Sequence, residues 1–467
     1  MSIIASHRDF KRFLLLPFFL LLFVNCEEGN KNNATYFGGQ IINPKSNKIY
    51  LYKGEKLLDS ALLDAKHKFL IKIDTLLLGL YIFKHYDEIQ YIYLEPKDSL
   101  LMRLNTWAFD ESLVFSGRGA ERNNLLINLF LENEKEDKSF FDFYALNDSL
   151  FELKIDSVLQ RKKLLYNQFK EEVPETSPLF DKLVNAAIYF PLYRKKEAYP
   201  YRYKKTLKTA DYPHLSPTFY KFRKDININD KELINFYPYQ DYVKTYLYHL
   251  AFEKQILNDD NGSIDVNFMK EALENLEIDD VKNNFLHQGM WFALLDENIS
   301  KEEKAKAQRL FFDHCSDEKS VADIANLIKA AERSPKGEKL PDITVFGYDG
   351  NPQQLNDIIQ QKNVVIYTWP TNLRQIENMA KRVNYLEKKY TNYLFIGINS
   401  KNAEYQWKKH IQLKKLNPKH QYRTTDIDWL DVSFARAILI NKKGVVQNNM
   451  THLLNRHFEK QLKRLKN

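Results

Sequence analysis

The sequence predicts a multidomain α+β protein with an N-terminal antiparallel β-sandwich, a central helical region and a C-terminal α/β domain. Three observations carry this. Short apolar and aromatic runs broken by turn residues fill 36–118, long helical patterns fill 119–335, and strands alternate with helices through 336–467.

A chain of 467 residues has room for about two to four domains. Tyr (28) and Phe (31) are plentiful and Gly (14) is scarce, which argues against disorder over most of the length. The net charge of +8 is spread along the chain, and losing residues 1–25, with Arg8, Lys11 and Arg12 against Asp9, leaves +6. So diffuse a charge argues for a mildly basic surface and against a nucleic-acid partner.

At the N-terminus, His7, Arg8, Lys11 and Arg12 precede an unbroken apolar segment from Phe13 to Val24. As a helix it rises about 18 Å, too short to cross a bilayer core of about 30 Å, so residues 1–25 read as an export signal. The segment ends in Leu22-Phe23-Val24-Asn25-Cys26, which resembles the lipobox of bacterial lipoproteins. Asn25 replaces the small residue usual there, and Glu27 and Glu28 look like the acidic tag of Bacteroidota surface lipoproteins. The resemblance implies that Cys26 is lipidated, that 26–35 is a tether, and that the membrane is a partner. It further implies an outer-membrane address facing the periplasm or the cell surface. Cys315 is then an unpaired thiol, and its setting at the apolar end of a helix, Arg309 to Cys315, predicts a buried, inert group.

In the sandwich region, strands are expected at Ile49–Tyr52, Phe69–Ile73, Gly79–Phe83, Tyr91–Leu94 and Leu100–Leu104. Asp59 and Ser60 read as turn formers, since nothing nearby supplies a base. From 119 to 335 helices are expected at Leu125–Glu132, Ser149–Phe169, Gln240–Leu257 and Val281–Asp296, with prolines including Pro191 and Pro200 breaking the run. Tyr199-Pro200-Tyr201-Arg202-Tyr203-Lys204-Lys205 is a basic aromatic cluster, read as a surface loop or as a candidate site for a peptide or glycan. His287 has no second His at zinc-binding spacing, so neither a metal nor a cofactor is proposed.

After a linker at Ser334–Glu338, strands are expected at Ile343–Phe346, Val364–Trp369 and Leu394–Ile398, and a hairpin at Ala437–Val446. Helices are expected at Gln375–Tyr390, Ala403–Lys409 and Arg456–Lys466, giving a mixed sheet covered on both faces. Gly337-Glu338-Lys339-Leu340-Pro341-Asp342, the strand ending in Trp369, Phe395-Ile396-Gly397-Ile398-Asn399 and Leu439-Ile440-Asn441-Lys442-Lys443-Gly444 together resemble the thioredoxin-like domain of membrane-anchored thiol–disulfide oxidoreductases. With a sandwich before it, the layout is similar to a Bacteroidota lipoprotein architecture.

Members of that family that exchange disulfides carry Cys-x-x-Cys after the aromatic, where the helix N-terminus stabilises a thiolate. Here the corresponding loop is Trp369-Pro370-Thr371-Asn372-Leu373, and no register supplies a sulfur. Ala435 stands where the family has a cis-proline, so that peptide bond is expected to be trans. Thr371 or Asn372 reads as a helix cap rather than a nucleophile. The sequence therefore predicts a lipid-anchored envelope protein with a redox-inactive domain for binding or scaffolding, open to a protein or peptide partner. The alternative is a divergent thiol–disulfide oxidoreductase acting through Cys315 in envelope redox homeostasis.

Overall fold

The structure, a computed structural model, describes residues 34–257, 262–426, 432 and 434–465. The signal segment and Cys26 lie outside the described residues.

Eight strands come first: β1 (Thr35–Ile42), β2 (Lys48–Lys53), β3 (Lys56–Leu62), β4 (Lys68–Ile73), β5 (Gly79–His85), β6 (Glu88–Leu94), β7 (Ser99–Asn105) and β8 (Val114–Arg118). They form two four-stranded sheets, ordered β4-β1-β7-β8 and β3-β2-β5-β6. Alternation does the work, since β7 buries Leu100, Met102 and Leu104 while Leu101 and Arg103 face out. Both sheets feed one apolar core that contains Phe37, Ile49, Leu51, Ile71, Phe83 and Leu100.

Two expectations are corrected here. The pairing is not wholly antiparallel, because β1 runs parallel to β7. Nor are Asp59 and Ser60 turn residues, since they lie within β3, paired with Leu51 and Tyr50. The turn falls earlier, at Gly54, whose φ of 57° suits glycine. The sequence reading also missed β1 as a strand, its signal diluted by Gly38 and Gly39. A Cβ on Gly39 would sit 2.1 Å from the Met102 carbonyl oxygen, so the close β1–β7 approach requires glycine there.

The helical region comprises α1 (Ala120–Ser139), α2 (Asp148–Glu172), α3 (Pro178–Leu207), α4 (Tyr237–Leu257), α5 (Ile264–Asn275), α6 (Asp279–Leu295), α7 (Lys301–His314) and α8 (Glu318–Glu332). Side-chain caps start several of them, among them Asn147, Ser177, Ser263, Ser300 and Asp317. Pro191 and Pro200 do not break the chain; both lie inside α3. A proline at 191 leaves the carbonyl of Ala187 without its helical donor, and the Asn133 side-chain amide from α1 supplies one at 3.2 Å. Among the described residues no helix is long and apolar enough to cross a membrane.

The last part contains β9 (Thr344–Phe346), β10 (Pro352–Gln354), α9 (Leu355–Ile359), β11 (Asn363–Thr368), α10 (Leu373–Lys389), β12 (Tyr393–Asn399), α11 (Glu404–Leu413), β13 (Gln421–Arg423), β14 (Arg436–Ile440), β15 (Val446–His452) and α12 (Phe458–Arg464). Its seven-stranded sheet is ordered β10-β9-β13-β12-β11-β14-β15, with β11 parallel to β12 and antiparallel to β14. Val365, Tyr367, Phe395 and Leu439 face α10, α11 and α12. Val364, Ile366, Ile396 and Ile438 face Leu340, Ile343 and α9 on the other side. This is the mixed, doubly covered sheet that the sequence predicts. The short strands β10 and β13 were not foreseen, because three residues with at most one aromatic side chain carry no periodicity.

Candidate functional site: the turn after β11

All six residues of β11 are buried, and the strand delivers its C-terminal end to the N-terminus of α10. The Trp369 backbone N–H extends the ladder by donating to the Ile398 carbonyl at 3.0 Å. Its indole is only 3% exposed and donates through Nε1 to Gln421 Oε1 at 3.1 Å. The Gln421 amide, itself fully buried, also donates to the Tyr367 hydroxyl at 2.9 Å. Gly397 leaves the space for this group; a Cβ there would lie 2.2 Å from Gln421 Oε1.

Pro370 is buried, and its carbonyl accepts from the Asn402 side chain at 3.1 Å. Asn402 is in turn held by Asn399 Oδ1 at 2.9 Å. Thr371 is exposed and has no hydrogen-bond partner among the described residues, so no histidine is positioned to activate it. The cap is Asn372. Its Oδ1 accepts from the Gln375 N–H at 3.0 Å. Its Nδ2 donates to Asp87 Oδ1 at 2.9 Å, across 285 residues of sequence. Asp87 sits in the β5–β6 turn, and next to it Glu88 pairs with Arg374 at 3.4 Å. The N-terminal sheets thus place a carboxylate at the N-terminus of α10, where the helix dipole favours it. Leu373 is exposed as the first residue of the helix.

Ala435 is half-buried just before β14, and the described residues contain no cis peptide bond. The segment around it is covered by the helical region. Phe434 packs edge-on against Trp291 of α6 at 5.5 Å, and Val432 is buried in the cluster that includes Met290, Phe311 and Leu327. Arg436, fully buried, donates to the Asn449 carbonyl at 2.6 Å and the Ser334 hydroxyl at 2.7 Å. Ser334, expected in a linker, is therefore a buried contact.

The other candidates lie elsewhere. Cys315 follows α7, is 8% exposed, and its thiol is pushed up by burial. The Tyr199–Lys205 cluster is not a loop but the last turns of α3. Tyr199 is fully buried, its ring tilted against Phe151 with centroids 4.2 Å apart, and its hydroxyl donates to the Leu146 carbonyl at 2.6 Å. Tyr201 packs on Phe252 at 5.5 Å, so these rings serve the core. An open groove of about 810 Å³ lies at the opposite end of the strands, walled by Gln354, Asp357, Lys362, Leu394, Lys419 and Tyr422, away from the Trp369–Leu373 turn. The sequence did not point to Gln421, Asn402 or Asp87. Gln421 follows a polar stretch, and Asp87 reaches the site only through tertiary folding.

No family model matches the chain, and no curated protein matches it. Solved structures do. The thioredoxin domain of a thiol-disulfide oxidoreductase from Bacteroides vulgatus is 21% identical, with 27% of this chain and 97% of that one covered and a TM-score of 0.24. A thiol:disulfide interchange protein from Bacteroides sp. is also 21% identical, covering 29% of this chain and 93% of that one, with a TM-score of 0.24. The C-terminal unit of this chain is thioredoxin-like on its own topology, with parallel β12–β11, antiparallel β14–β15 and a helix launched from the end of β11.

Proposed function

We propose that the chain is a lipid-anchored cell-envelope protein whose thioredoxin-like domain binds or scaffolds rather than exchanging disulfides. One observation carries the reading: the turn at the start of α10 holds no sulfur and is already committed to packing. Trp369 and Pro370 are buried, and Asn372 caps the helix while bonding Asp87. Thiol–disulfide exchange needs a thiolate that its partner can reach. Cys315 offers neither a lowered pKa nor exposure. The anchor rests on Cys26 in its lipobox-like setting.

The test is thiol reactivity of the folded full-length chain toward a small disulfide, with Cys315→Ser to identify the site. Cys315 is expected to stay unmodified until urea unfolds the protein. Fast mixed-disulfide formation in the native state, lost in Cys315→Ser, would instead establish a divergent oxidoreductase.

A further inference from the structure

One end of the two-sheet unit carries four leucines that stay exposed among the described residues. Leu57 and Leu58 begin β3, and Leu77 and Leu78 form the loop between β4 and β5; they are 48%, 42%, 71% and 44% exposed. The loop is pinned, because the Leu77 carbonyl accepts from Lys53 Nζ at 3.2 Å and from the Tyr81 hydroxyl at 2.5 Å. It therefore presents its leucines to solvent from a fixed backbone. Exposed leucines gathered at one end, on a pinned loop and an edge strand, mark a candidate interaction surface.

The position of the chain's entry selects the occupant. Thr35, the first residue of β1, pairs with Ile73, the last of β4, so the chain enters the fold at this same end. Cys26 lies nine residues earlier, a span of at most about 30 Å even when fully extended. We propose that this leucine-bearing end rests on the lipid surface to which the chain is anchored. The proposal rests on reading Cys26 as the anchor.

It also sets an orientation. β5 runs from Gly79 at the leucine end to His85, and the turn beyond it carries Asp87, which holds Asn372. Seven residues of strand span about 20 Å, so the Trp369–Leu373 turn faces away from the membrane. Charges at the leucine end nearly offset one another, three cations (Lys53, Lys56 and Lys72) against two carboxylates (Glu55 and Asp74), and Lys72 is paired to Asp74 at 2.7 Å. The contact is therefore made by apolar area, and it should be indifferent to anionic lipid.

The experiment uses the full-length chain in zwitterionic vesicles, in a Cys315→Ser background, with a bimane reporter at Leu77→Cys or, at the far end, at Trp107→Cys. Unchanged circular dichroism and melting establish that both variants fold, and mass spectrometry reads the lipid on Cys26. Blue-shifted emission quenched by doxyl lipid at position 77 and not at 107 is the expected result, unchanged when anionic lipid is added. Lipid on Cys26, flotation with vesicles and no quenching at 77 would overturn the surface while leaving the anchor intact. Absence of lipid on Cys26 with quenching retained at 77 would overturn the anchor and keep the surface; absence of both removes both. Shielding of position 77 without lipid, in a chain that sediments as a dimer, would assign the tip to a second copy and overturn the proposal.

Discussion

Asn372 does two jobs, and substitutions separate them. As N-cap it satisfies the Gln375 N–H, a role worth about 1 kcal/mol. Its amide also donates to the Asp87 carboxylate, a charge-assisted bond worth about 1.5 kcal/mol. The neighbouring Arg374–Glu88 pair, with Arg374 60% exposed, adds less than about 1 kcal/mol. Asn372→Ala removes both roles and should cost about 2–3 kcal/mol. Asn372→Asp keeps a good cap but removes the donor and sets two carboxylates together, so it should still cost about 1–2 kcal/mol. That deficit should shrink as the pH falls into the carboxylate range, when the new pair shares a proton. Urea unfolding of the full chain reads these values, and Asp87→Ala completes a double-mutant cycle with an expected coupling of about 1 kcal/mol. If Asn372→Asp unfolds like the native protein and the coupling is zero, Asn372 is only a cap and the Asp87 contact does not exist.

Gln421→Leu removes the partner of two buried groups, the Trp369 indole N–H and the Tyr367 hydroxyl, and should cost about 2–4 kcal/mol in urea melts. Asp265, 8% exposed, has its carboxyl pushed up to about 6, chiefly by burial and then by the charge of Asp296, against a weak bond from Tyr248. The folded state therefore keeps a proton that the unfolded chain releases at lower pH. The stability this contributes is present below the ordinary carboxylate range and is lost as the pH rises through about 6. Asp265→Asn should accordingly raise stability at pH 7 by about 2 kcal/mol and flatten that acid-to-neutral slope in thermal melts; a neutral or destabilising result would refute the assignment.

The buried runs were the legible part of this chain. Val364–Trp369 and Leu394–Ile398 read directly as strands because apolar, β-branched and aromatic residues filled them, with Gly397 the one gap in the second. A cap at Thr371 or Asn372 was equally readable, since Thr and Asx residues before a periodic run mark helix starts, and the structure assigns it to Asn372. Local rules misled where a distant group changed the outcome. Pro191 looked like a breaker, but Asn133, on another helix, restores the missing donor. The Tyr199–Lys205 run looked exposed because it alternates charge and ring, yet α3 is packed on most sides and turns Tyr199 into core. Asp59 and Ser60 carried turn chemistry but lie on an exposed edge strand, where polar residues meet no penalty. The Asp87–Asn372 contact had no local signal at all, because neither residue is unusual in its own segment.

The central claim is that a thioredoxin-like sheet here carries no sulfur chemistry. Reduction of insulin disulfides by the purified full-length chain, with dithiothreitol as electron donor, measures this directly. Turnover no faster than the protein-free control is the predicted result, and catalysis proportional to protein concentration would contradict it.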